Sequence, residues 1–205
     1  MSIDAVGEGF TVPEHEEFEI RPEEHFFSKT FTVLKGNLPV AVISTNKFVH
    51  NFFDLRMHFT VYDSKTGEEV AHAIKNYGFT PRGIWNLSFL GWFRPHTLAD
   101  FDLYDKEGIY IGCIDGKVLD ISKARFDFQD AKGNVIAYAR QENTQLMIND
   151  AKTNAPVGFL KRHFEVGTED TWKMELTSKV DSRTALVFAA FVVHNQSYFL
   201  KNLSL

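Results

Sequence analysis

Phe126-Asp127-Phe128-Gln129-Asp130-Ala131-Lys132-Gly133 is a run of alternating residues that meets an Asp, then a short polar turn closed by Gly. Alternation has the period of a strand, Asp initiates a turn through its side chain, and Gly accepts the positive φ that tight hairpins need. The pattern recurs in Phe59–Gly67, in Phe101–Gly108 and in Leu146–Asn154, where Asn154 takes the place of Gly. The last three copies follow one another at roughly 20–25 residues, a spacing expected of one antiparallel sheet built from successive hairpins. Around these repeats, Phe27–Leu34 and Val40–Ser44 read as strands joined by a turn at Lys35–Pro39, and Thr171–Leu176 reads as the last long strand. A sheet of so many hairpins hides its edges by closing, so the fold class expected is a closed antiparallel β-barrel.

The chain then turns greasy. Ala185–Val193 contains nine apolar residues and no polar one, with Asp181 or Ser182 placed to cap a helix beginning near Arg183. Nine helical residues span about 14 Å, half of the roughly 30 Å of a bilayer's hydrocarbon core, and His194, Asn195 and Gln196 follow at once. A helix apolar on every side belongs in an interior. The inside of a wide barrel supplies one, and Ala185, Ala189 and Ala190 let strand side chains come close.

Composition agrees with this. The 205 residues are 44% hydrophobic and 24% charged, enough for one domain with a large core, and 20 Phe residues provide bulky filler. Cys113 alone excludes an internal disulfide and reads as a small buried apolar residue. The first residues lack the basic and apolar blocks of a secretory signal, which points to a cytoplasmic protein. The net charge of −5 is unevenly spread: residues 1–25 carry eight acids against Arg21, leaving 21 bases and 19 acids for residues 26–205. The expected organisation is an acidic N-terminal arm, 1–25, with one extended stretch from Glu17 to Arg21, followed by a barrel domain, 26–205. The arm could screen a basic face.

Hairpins of the form Phe126-x-Phe128-x-Asp130-x-x-Gly133-x-x-Ile136-Ala137, ahead of the apolar Ala185–Val193 segment, resemble those of the tubby C-terminal superfamily, in its LURP-one-related and phospholipid-scramblase-like branch. The resemblance covers residues 26–205 and implies about twelve strands around a central hydrophobic helix. It also implies phosphoinositide binding as in tubby proteins, or lipid movement as in scramblases. The acidic calcium-binding stretch of scramblases is replaced by Thr177–Arg183, with one acid and two bases, and their Cys-rich run is missing.

No enzymatic signature emerges. There is no Gly-x-Ser-x-Gly elbow, no HExxH and no Gly-rich phosphate loop, so neither catalytic residues, nor a cofactor, nor a metal is assigned. The four Asp residues before turns are turn initiators rather than paired acids. His58 and His72 would face each other if Asp63 opposed Gly67 in the first hairpin. Candidate anion ligands are Lys123 with Arg125, two residues apart on one strand face, and Lys161 with Arg162, which converge only where a strand is bulged or ends. The loop 76–95, with Trp85, Trp92 and Phe93, is the candidate membrane-facing aromatic element. The expected function is non-enzymatic and peripheral, the binding of phosphoinositide or another anionic headgroup at a membrane surface. A protein-interaction barrel and a scramblase-like lipid mover are the alternatives. Without a basic stripe or a reading motif, nucleic acid is not an expected partner.

Overall fold

The computed structural model describes residues 16–24, 28–46, 58–75, 100–117, 125–142, 145–163 and 171–196. Twelve antiparallel strands close into a barrel: β1 (Glu16–Glu24), β2 (Ser28–Lys35), β3 (Leu38–Asn46), β4 (His58–Asp63), β5 (Glu69–Lys75), β6 (Asp100–Asp105), β7 (Tyr110–Lys117), β8 (Arg125–Asp130), β9 (Val135–Glu142), β10 (Gln145–Asp150), β11 (Pro156–His163) and β12 (Thr171–Leu176). Each strand pairs with its sequence neighbours, and β1 closes the ring between β12 and β2. The barrel therefore takes in Glu16–Glu24, residues counted above in the acidic arm. Glu17, Glu19 and Glu23 lie on the outward row of β1, while Glu16, 4% exposed and bonded to Lys35, sits on the inward row with Phe18 and Ile20.

The four repeated turns are built alike. One carboxylate oxygen of Asp63, Asp105, Asp130 and Asp150 accepts two backbone N–H bonds from the residues that follow, for example from Lys65 and Thr66, both at 2.8 Å from Asp63. Gly67, Gly108, Gly133 and Asn154 take positive φ, as the repeat predicts. One feature is invisible in the letters: a β-bulge just after each Asp turn, at Val70, Ile111, Ile136 and Val157, interrupts the register opposite Val61/Tyr62, Leu103/Tyr104, Phe128/Gln129 and Ile148/Asn149. The extra residue shifts the pairing. Tyr62 opposes Glu69, so the turn itself is one residue longer than assumed, and the bulge adds a second; His72 opposes Thr60 and His58 opposes Ile74, and the two imidazoles are not a facing pair. His72 instead bonds Glu69 at 2.8 Å and stacks on Tyr104.

Helix α1 (Ser182–His194) fills the barrel. Asp181 caps it by accepting from the backbone N–H of Arg183 at 2.9 Å. Every residue of α1 from Thr184 to Val193 is buried, and the helix touches strands on all sides, β1, β3, β4, β5, β7 and β12. The Phe-rich composition is explained by the lining. Phe31, Phe59, Phe101, Phe126 and Phe128 project inward and meet Phe188, Phe191 and His194 of the helix at ring separations of 5.1–6.5 Å. Offset and edge contacts at such distances add to the burial of the rings themselves.

Several carboxylates are held below the ordinary range. The Lys179 ammonium, then the Thr153 N–H and hydroxyl, lower Asp150. The Asn134 side chain and N–H lower Asp130, and the Thr66 N–H lowers Asp63. Burial pushes Asp181 up, but Arg183 overcomes it. The unfolded chain, with Asp near 3.9, binds protons more readily than the fold. The stabilisation is thus present above about pH 4 and lost as pH falls through the depressed native values. The urea midpoint should be flat between pH 7 and about 5 and drop clearly by about pH 3; a midpoint that rises on acidification would contradict these turns.

Candidate functional site

Of the four predicted anion ligands, the structure brings two to one wall. Lys123 lies outside the described residues, as do Trp85, Trp92 and Phe93. Arg125 opens β8 on the outward row. Its Nε donates to Asp127 Oδ1 at 2.9 Å, and its guanidinium carbon lies 4.5 Å from the centre of the Tyr138 ring. Lys161 is also on an outward row, its ammonium 5.0 Å from the Phe159 ring centre. Arg162 belongs to the other face. It continues the inward row of Leu160 and opposes Trp172, and its Nε is buried. Lys161 and Arg162 therefore do not converge: β11 runs through them unbulged, and alternation sends neighbours to opposite sides.

Register supplies what sequence spacing missed. Arg125 stands directly opposite Arg140 of β9, and Lys117 of β7 pairs with Arg125 on its other side. Three strands further on, Lys161 stands directly opposite Lys173 of β12. The outer wall from β8 to β12 therefore carries two like-charged pairs. Like charges in direct cross-strand register are destabilising by up to roughly 1 kcal/mol, so packing alone does not call for them. Between the pairs lie Met147 and Phe159, opposite one another and half-buried, with Tyr138 alongside.

Acids sit among these cations. Asp127 is recessed, its side chain 7% exposed against 42% for Arg125, so the outermost charge there is positive. Glu142 and Glu175 share the wall, and Glu17 of β1 holds the Lys173 ammonium at 3.2 Å. The outward row of β1, Glu17, Glu19, Arg21 and Glu23, thus borders the cationic wall with three acids and one base. Asp100, Asp102 and Cys113 bring one donor atom each within 4.8 Å of one another, with Cys113 fully buried as expected. Two carboxylates and a thiol supply three donors, and three donors do not by themselves make a cation site.

No family model and no curated protein matches the sequence. The fold has a solved counterpart: the crystal structure of a protein from Arabidopsis thaliana, AT5G01750, superposes with a TM-score of 0.51 over 88% of this chain and 92% of that one, at 8% sequence identity. At that identity the likeness is one of architecture.

Proposed function

We propose that this barrel is a non-enzymatic peripheral module that binds anionic membrane headgroups, phosphoinositide or another acidic lipid, on the outer wall of β8–β12. We further infer that it belongs to the LURP-one-related and scramblase-like branch of the tubby C-terminal superfamily. Twelve strands closed on a hydrophobic helix are the architecture that the sequence resemblance implies. The observation that carries the functional reading is the pair of like-charged cross-strand couples, Arg125 with Arg140 and Lys161 with Lys173. Arginine's fork suits phosphate oxygens, and Asp127 and Tyr138 hold Arg125 in place before any ligand arrives.

Flotation tests it. The full chain should rise with phosphatidylserine- or phosphoinositide-containing vesicles and stay behind with neutral ones. Equal flotation with neutral vesicles, or none with any, would overturn the reading.

A second reading, a protein-interaction barrel, has an observation of its own. Among the described residues, the exposed large apolar side chains are Leu38 (72%), Ile109 (62%) and Val135 (36%), each just after a hairpin turn on the rim where α1 enters. Leu38→Ser with Ile109→Ser should leave vesicle flotation unchanged if the wall is the lipid face; its loss would move the lipid face to the rim.

The lipid-moving alternative has less support. Thirteen residues of α1 span about 20 Å, and among the described residues no helix is long and apolar enough to cross a membrane.

A further inference from the structure

We infer that the β8–β12 wall reads the density of negative charge on an anionic leaflet, engaging several lipids at once, rather than one headgroup. The inference rests on the peripheral-lipid reading above and adds a mode of recognition to it. Its basis is curvature. In a closed ring of twelve strands each strand takes about 30° of the circumference, so β8 to β12 covers about 120° of a convex surface. At ordinary strand spacing the barrel radius is roughly 10 Å. Arg125 and Lys173, at the ends of this arc, leave the wall in directions about 120° apart and cannot close on one ligand. Within each pair the divergence is only about 30°, so Arg125 with Arg140 can share one phosphate and Lys161 with Lys173 another.

Recognition of a single headgroup ordinarily uses a concave site whose polar groups converge. This wall has the opposite form, with Arg125 42% and Lys173 36% exposed. A flat leaflet touching β10 would leave β8 and β12 set back by roughly 5 Å, inside the Debye length of about 8–10 Å, so both pairs would feel it together. The line of first contact carries Met147 and Phe159 with Tyr138 beside them, half-buried and suited to the boundary between headgroups and chains. The acids of β1 then set the edge of the footprint. Glu17 competes with lipid for Lys173, and Glu19 faces Lys173 from the neighbouring strand.

The test uses the full chain and vesicles of phosphatidylserine or phosphatidylinositol bisphosphate in neutral lipid, matched for surface charge at one ionic strength. Partition is expected to be equal within about threefold at matched charge, to rise steeply with anionic fraction, and to resist excess soluble inositol trisphosphate. Lys161→Gln with Lys173→Gln should lower partition to both vesicle types by about thirtyfold, with the circular dichroism spectrum unchanged. Glu17→Gln should raise it. Arg140→Gln, on the other pair, should lower it independently. Selectivity for one headgroup at matched charge, or displacement by the soluble headgroup, would overturn the inference while leaving peripheral lipid binding intact. Partition to no anionic vesicle would overturn both. Retention of single-stranded RNA at the same salt, as strong as that of vesicles, would overturn the assignment to a leaflet.

Discussion

Removing residues 1–25 is expected to abolish the folded barrel, whereas removing residues 1–15 leaves it intact. The acidic character of the segment invites the larger deletion, and register shows why it fails. Glu16–Glu24 is β1, whose residues Glu16–Ile20 pair with β12 and Glu19–Glu24 with β2. Its loss exposes two unpaired strand edges, the arrangement from which sheets aggregate. It also strips Phe18 and Ile20 from the core, where they are 3% and 0% exposed. Burial of two such side chains is worth roughly 3–6 kcal/mol, before counting two lost ladders and the opening of the helix-filled interior, against a typical total of 5–15 kcal/mol. Urea titration followed by circular dichroism decides it. The shorter deletion should unfold cooperatively near the parent midpoint, and the longer should show no cooperative transition. A cooperative, monomeric product lacking residues 1–25 would mean that β1 is dispensable. Any test of electrostatic screening by the N-terminal segment must therefore stop before Glu16, or substitute Glu17 alone.

The turns and the helix were legible because their signals are local. Asp with Gly or Asn a few residues later is a turn wherever it occurs, and Asp181 ahead of nine apolar residues is a capped, buried helix. The repeats implied a closed sheet, and the number of strands came from the family resemblance alone. β1 was harder to read, since Glu17-Phe18-Glu19-Ile20-Arg21 alternates but carries a charge on every outward position. Register could not be read at all. A bulge adds a residue without any letter that marks it, and four of them, at Val70, Ile111, Ile136 and Val157, fall just after the Asp turns. The extrapolated His58–His72 pair failed because the turn is one residue longer than assumed and the bulge adds one more. The cationic wall was hidden in the same way: Arg125 meets Arg140, and Lys161 meets Lys173, only through cross-strand pairing. Lys161 and Arg162, neighbours in sequence, are separated by the thickness of the sheet. Proximity in a barrel is a property of register, and spacing along the chain reports it only within one strand face.

Phe188→Ala should cost about 3–5 kcal/mol, a large part of the stability of a domain this size. Phe188 has no exposed surface and lies between Phe126 and Phe128 of β8, at ring separations of 5.3 and 5.1 Å. Truncation removes the ring contacts and leaves a cavity that barrel strands, tied to both neighbours, cannot collapse to fill. Phe188→Leu keeps most of the volume and should cost markedly less. The comparison is informative because the cationic wall begins on the outer side of the same strand, at Arg125. If α1 serves only as the barrel's core, the destabilised variant, kept folded at low temperature, binds anionic vesicles as the parent does, and neither accelerates lipid flip-flop in proteoliposomes. If α1 leaves the barrel to act in the bilayer, weakening its seat should raise flip-flop, and Phe188→Ala would be the more active protein. A loss below about 1 kcal/mol in urea would mean that the helix is not packed on β8 as described. Faster flip-flop in the variant would put the lipid-moving reading ahead of headgroup binding.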